Sequence, residues 1–410
     1  MSSTLGNVLE WYDFAVYGSM APLLGKLFFP GDDPVASLLA TFGVFALGYI
    51  ARPVGGVLLG HVGDKFGRKR ALILSVLLMG LGTTLIGLLP THAAIGTAAA
   101  GLLVLLRVLQ GLSAGGEYPS SIVFLAEHAP VERRGYFASW PVAASCGGFL
   151  LGSAVVTLLT NGLGEAAMAD WGWRIPFLLG AAIALCGAYY RRNLSEPKAL
   201  AQATALEDSP IIATVRHHWR SVVRIIAITL VNAVGFYLLW VYAISYLTDQ
   251  MHVSTATAMD VNTISLAVMI PTTILAGMLA DKIGRKPLLY FVALGTIFLA
   301  WPLWWLMHHD SFVLILTAQM GFMVLYSAGY AALSAVMVEV LPAGVRCSAS
   351  ALGYNLCMGL FGGTTPLVAT YLVQRTADDF APAYFLIATG VLSLIATFGL
   401  KETAQQKLKH

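Results

Sequence analysis

The chain is a succession of long apolar runs broken by short polar interruptions. Twelve runs stand out, at roughly 5–29, 36–62, 71–90, 95–127, 136–161, 173–191, 221–249, 257–280, 287–307, 311–340, 347–374 and 381–400. A helix needs about 20 mostly apolar residues to cross a bilayer, and these runs have that length. Strands of a membrane barrel are about 10 residues long and alternate strictly in polarity, which these runs do not. The pattern therefore predicts an all-α membrane protein with twelve transmembrane helices. The longest polar stretch, about 192–220, falls between the sixth and seventh runs and reads as a solvated linker. The expected division is two six-helix bundles, 1–191 and 221–410, joined by 192–220.

Composition agrees with a membrane solvent. Hydrophobic residues make up 58% of the chain and charged residues only 11%, against about a quarter charged in a soluble domain. The distribution of Lys and Arg orients the helices. With both termini in the cytoplasm, 19 of the 24 basic residues fall in inner loops and tail, among them Lys65, Arg68, Arg191, Arg192, Lys198, Arg285, Arg346 and Lys409. Only Lys26, Arg174 and Arg375 fall outside, and Arg52 and Arg107 lie within spans. A bacterial inner membrane is the expected location. The first run carries Glu10 and Asp13, which argues against a cleavable signal peptide. Cys146, Cys186, Cys347 and Cys357 sit in apolar stretches without a CxxC pair and read as buried spectators.

A repeat underlies the two halves. GHVGDKFGRKR at 60–70 is echoed by LADKIGRKP at 279–287, which sets Asp64 and Asp281 217 positions apart. Glu127, Pro130 and Arg134 recur as Glu339, Pro342 and Arg346, each 212 positions on. Two separate motifs at nearly one offset indicate a duplication. Gly63, Gly67 and Gly284 are expected to permit tight turns between spans. The aspartates at the helix ends suit pairing with the following arginines or with an opposing helix N-terminus. Such contacts would hold one conformation closed and break as the halves rock.

These motifs resemble the major facilitator superfamily, and within it the metabolite:proton symporters. The resemblance spans nearly the whole chain, through GNVLEWYDFAVYG (6–18), RPVGGVLLGHVGDKFGRK (52–69), RVLQGLSAGGEY (107–118), EHAPVERRG (127–135), WGWRIPF (171–177) and YNLCMGLFGG (354–363). It implies the major facilitator fold of two pseudo-symmetric bundles. It also implies a cytoplasmic network of Asp64, Arg68, Glu127 and Arg134, with Asp281, Arg285, Glu339 and Arg346 as its counterpart. The family includes carriers of proline and betaine, α-ketoglutarate, citrate and shikimate.

Ionisable residues inside spans are expensive and mark function. Here they are Glu10, Asp13, Arg52, Arg107 and Glu117, all in the first half. Glu10, Asp13 and Tyr17 share one face of span one, and Gln110, Ala114 and Glu117 one face of span four. By the family arrangement these spans line the central cavity. Asp13 and Glu117, then Glu10, are the candidate proton carriers, with a structural role as the competing reading. Arg107, and after it Arg52, are the candidate substrate anchors, unless they merely neutralise those carboxylates.

The second half offers aromatics instead. Tyr237 and Trp240 in span seven, and Tyr354 and Asn355 in span eleven, are candidate contacts, and an aromatic cluster can cage a quaternary ammonium. Trp301, Trp304 and Trp305 read as an interfacial belt. No HExxH, P-loop or GxSxG motif suggests an enzyme. No cofactor, metal ion or nucleic acid is expected as a partner, and a monomer is. An ion gradient is then the driving force. Span five lacks the Gly-Pro pair of drug exporters, so import is favoured. Two membrane arginines and a short tail after Lys401–Glu402–Thr403 favour a small organic acid as substrate, with proline or betaine as the alternative.

Overall fold

The computed structural model describes residues 4–31, 34–192 and 209–408. Most of the linker at 192–220, with Lys198, and also Lys409 lie outside the described residues. We number the membrane helices α1 (Leu5–Ser19, continued by Ala21–Phe28), α2 (Pro34–Phe66), α3 (Arg68–Leu88), α4 (Ala98–His128), α5 (Arg134–Ala167) and α6 (Arg174–Arg191). The second set is α7 (Trp219–Tyr237, continued to Gln250), α8 (Thr255–Ile283), α9 (Arg285–Met307), α10 (Phe312–Glu339), α11 (Arg346–Cys357, continued to Thr376) and α12 (Ala381–Phe398). Ten helices among the described residues are long and apolar enough to span a bilayer by those criteria alone. The two that fall short are explained locally. α1 breaks at Met20, two residues before Pro22, whose missing N–H interrupts the ladder. α6 is 18 residues long and carries an arginine at each end.

Several apolar runs extend further than the hydropathy pattern suggests, because the turns between them are very short. One residue, Gly67, separates α2 from α3, and Gly284 does the same between α8 and α9. Both have left-handed φ, 111° and 102°, which a side chain would oppose. Gly63, expected at the turn, is instead helical, and a Cβ there would meet Cys347 Sγ at 3.1 Å.

Within the first half α2 packs on α4, α1 on α5 and α3 on α6; within the second α8 packs on α10, α7 on α11 and α9 on α12. The halves meet through α5 against α8 and α2 against α11, two contacts related by the repeat. The α5–α8 seam is closest at Gly135 and Gly277, where a Cβ on either residue would come within 2.7 Å of the other's carbonyl oxygen. Such proximity of backbones is the usual role of small residues in helix pairs without a hydrophobic drive to associate.

Candidate functional site

Two charge clusters close the face that carries the basic loops. Arg68 at the start of α3 donates to Asp64 Oδ1 at 2.6 Å, to Gly63 O at 2.7 Å and to both oxygens of Glu127 at 3.2 Å. Asp64 in turn accepts the first N–H groups of α11, from Cys347 at 3.0 Å and Ser348 at 2.8 Å. The second half repeats the pattern. Arg285 donates to Asp281 Oδ1 at 2.9 Å and to both oxygens of Glu339, and Asp281 accepts Gly135 N at 2.7 Å and Tyr136 N at 2.8 Å at the start of α5. Each aspartate therefore pairs with its own arginine and also caps a helix of the opposite half.

The last arginines are exchanged relative to the expected grouping. Arg346 of the second half donates to Glu127 of the first at 2.5 Å, and Arg134 of the first donates to Glu339 of the second at 3.1 Å. The expected sets, Arg134 with Glu127 and Arg346 with Glu339, are thus corrected. In each, the fourth member comes from the other half.

The tail joins the second cluster. Thr403 donates to Glu339 at 2.5 Å, and Gln406 O accepts from Arg134 at 3.1 Å. Glu402 accepts Arg285 N and Lys286 N, both at 3.0 Å, at the exposed start of α9. Burial pushes the Glu402 carboxyl up, but N–H donors from Arg285, Ala404, Lys286 and Thr403 outweigh it and hold it below the usual carboxylate range. A depressed acid stabilises the folded state above its unfolded pKa, and that stabilisation is lost as pH falls through the folded value. Glu402→Gln is therefore expected to lower the melting temperature in detergent at pH 7. The gap to the parent closes as the pH falls below about 4.

The five in-span ionisable residues are all buried, and each arginine is engaged. Asp13 accepts from Arg107 at 2.6 Å, Gln110 at 2.7 Å and Thr83 at 2.9 Å. The faces of α1 and α4 meet here, and the Arg107 guanidinium lies 3.6 Å from the centre of the Tyr17 ring. Tyr17 donates its hydroxyl to Thr41 O, turning away from the cluster. Glu117 turns elsewhere, accepting both terminal nitrogens of Arg191 and the hydroxyl of Ser75. Arg191, assigned above to an inner loop, is fully buried. The signal was available: Phe177, Gly180, Ala184, Gly187 and Arg191 fall on one helical face, the buried one, while Arg192 does not.

Glu10 faces Arg52, with Oε1 3.0 Å from Nη1, yet neither carboxylate oxygen is in an aligned hydrogen bond. Arg52 Nε reaches across to Asn355 Oδ1 of α11 at 3.4 Å, and Asn355 is itself fixed by Gly115 O at 2.6 Å and Ala351 O at 2.8 Å. Tyr49 lies beneath the guanidinium, 5.4 Å from ring centre to cation.

Beside this pair, between the halves, is a small pocket lined by Trp11, Tyr118, Phe149, Phe236, Tyr330 and Tyr354, with no charged residue in its wall. Trp11 meets Phe236 edge-on at 5.3 Å, and Tyr118 stacks on Tyr354 at 4.7 Å. Of the predicted contacts, Tyr354 lines the pocket. Trp240 stacks behind Phe236 and donates to Ser265, and Tyr237 meets Tyr49 edge-on at 5.8 Å. Sequence reasoning passed over Trp11, Phe149, Phe236 and Tyr330, because aromatic residues in apolar runs look alike until the helices are placed. Two readings of structural residues also change. Trp304 is buried and donates to Asp379 O, so it is core and not belt, and Cys186 is exposed while the other three cysteines are buried.

Comparison with known proteins agrees with this architecture. The profile of the Major Facilitator Superfamily matches residues 4–352 and again 225–408. The chain is 35% identical to the glycine betaine/proline/ectoine/pipecolic acid transporter OusA of Dickeya dadantii, a match covering 100% of this chain and 84% of that protein. It is 34% identical to the proline/betaine transporter of Escherichia coli strain K12, with the same coverage. Among solved structures, the proton:xylose symporter XylE bound to 6-bromo-6-deoxy-D-glucose superposes with a TM-score of 0.82 at 19% identity, over 99% of this chain and 96% of that one. With all-α architecture, repeated gate motifs and whole-length relatives in agreement, the chain belongs to the Major Facilitator Superfamily.

Proposed function

We propose that the protein is a proton-coupled importer of a small zwitterion of the proline or betaine type, working by alternating access of its two halves. The observation that carries this reading is the central pocket. Its wall is aromatic and uncharged, whereas the two membrane arginines are paired with Glu10 and Asp13. An organic acid with two or three carboxylates would need uncommitted cations, and this pocket offers none. An aromatic box suits an ammonium group by cation–π attraction. The names of the relatives, proline, betaine and ectoine carriers, support the same choice. The organic-acid reading is therefore set aside in favour of its alternative.

In this scheme the exchanged arginines, Arg134 and Arg346, are the bolts of the cytoplasmic gate, and both chain ends lie on that side. The proton carrier is one of the three buried carboxylates. Glu117 is held by three donors and Asp13 by three, while Glu10 has one unaligned contact. We therefore place Glu10 first.

The test is uptake into proteoliposomes with an imposed pH gradient, inside alkaline. Labelled proline and betaine accumulate, and α-ketoglutarate and citrate do not. Accumulation of the acids without the zwitterions would sink the proposal. Phe236→Ala removes a wall of the box and is expected to raise the betaine KM about tenfold. That corresponds to about 1.4 kcal/mol, within the range for a desolvated cation–π contact. An unchanged KM would remove the box from the substrate site.

A further inference from the structure

We propose that Arg52 anchors the substrate carboxylate, and that a proton on Glu10 hands the guanidinium over from one carboxylate to the other. The inference rests on the zwitterion reading of the pocket and supplies what that reading lacks, a cation for the acid end.

Three buried acid–arginine pairs exist among the described residues of the first half, and they differ in how firmly they are tied. Asp13 and Glu117 are each held by three hydrogen-bond donors. Glu10 lies 3.0 Å from Arg52 with both oxygens lacking an aligned partner, and Arg52 Nη1 lacks one too. A loosely made pair is the one another carboxylate can displace at small cost. Arg52 does not depend on Glu10 for its position. Asn355 holds Nε from the opposite half, and Tyr49 lies below the plane. Its planar fork is thus presented ready for bidentate capture.

Position favours the exchange. Glu10 immediately precedes Trp11, and Asn355 immediately follows Tyr354; both aromatics line the pocket. A zwitterion with its ammonium in the aromatic box has its carboxylate beside Arg52.

Charge balance makes the proton obligatory. Glu10 and Arg52 together are neutral, as is the zwitterion. Without a proton, two carboxylates would share one buried guanidinium, and like charges in so dry a site disfavour each other strongly. When one proton binds Glu10, the acid becomes neutral, the guanidinium pairs with the substrate, and the loaded site carries one net positive charge. Each substrate then enters with one proton and one positive charge. The other titratable or charged groups around Glu10 are Asp13 on its own helix, Tyr49 on α2, Glu117 and Tyr118 on α4, Cys146 on α5, Arg191 on α6, Tyr237 on α7 and Tyr354 on α11. Asp13 and Glu117 are neutralised in their own pairs, which leaves Glu10 to change state.

The experiment measures binding of betaine and of choline, which has the same ammonium but no carboxylate, to the purified full-length protein between pH 5 and pH 9. Above the Glu10 titration, betaine Kd is expected to rise tenfold per pH unit, while choline Kd stays flat. In Glu10→Gln, betaine binding becomes flat as well, uphill uptake is lost and exchange persists. Equal pH dependence for the two ligands overturns the handover, and so does a tenfold slope surviving in Glu10→Gln. The ligand comparison needs no variant, so it decides even where the substitution harms folding. Failure of both ligands to bind at every pH overturns the zwitterion reading itself, and the handover with it.

Discussion

Alanine at both Arg134 and Arg346 is expected to cut net uptake below a tenth of the parent rate while leaving the protein folded. Each arginine crosses the seam, Arg134 to Glu339 and Arg346 to Glu127. Glu127 and Glu339 also hold Arg68 and Arg285 within their own halves. Removing the crossing arginines therefore leaves no carboxylate bare, and the loss falls on the closed state. Breaking a buried pair by removing one partner costs about 3–5 kcal/mol. Even the low end shifts the open-to-closed ratio by about a hundredfold per arginine. Native Cys347 reports the shift. It is buried at the start of α11, beneath Gly63 and bonded through its N–H to Asp64. Maleimide modification of Cys347, read by peptide mass spectrometry, rises at least tenfold in the double variant. If uptake falls while Cys347 stays protected, the arginines do not bolt this gate.

The gate was legible in the sequence because its residues recur at two nearly constant offsets, and a repeated Asp–Gly–Arg spacing means repeated turns and caps. The crossing of Arg134 and Arg346 was not legible. A motif names its members but not which copy supplies each one, and that depends on how the two halves abut. Helix count and direction followed from apolar length and from the Lys/Arg bias, since both are properties of the chain alone. The binding pocket is the opposite case. Trp11 and Phe236 are separated by most of the first half, and only the packing of α1 near α7 brings their rings to 5.3 Å. The lean towards an organic acid had the same origin. Arg52 and Arg107 were visible as in-span charges, but their neutralisation by Glu10 and Asp13 appears only when α2 and α4 are set beside α1.

Glu117 tests the division between structural and proton-carrying carboxylates. It accepts from two nitrogens of Arg191 and from Ser75, and Arg191 also donates to Leu72 O at 2.5 Å. Gly6 packs against the pair so closely that a Cβ would sit 2.0 Å from a Glu117 oxygen and 2.7 Å from an Arg191 nitrogen. The cluster ties α1, α3, α4 and α6 together, and nothing in it reaches the second half. Glu117→Gln leaves a buried guanidinium without its counter-charge, a change that typically costs about 3–5 kcal/mol. The expected result is a melting temperature several degrees lower in detergent, with poor recovery of folded protein. The double variant Glu117→Gln, Arg191→Met removes both charges and should regain most of that loss, because an apolar replacement of a buried pair is often close to neutral. Glu10→Gln should behave the other way, keeping its melting temperature and losing uphill uptake. A Glu117→Gln protein as stable as the parent, yet unable to concentrate substrate, would move the proton from Glu10 to Glu117 and overturn this assignment.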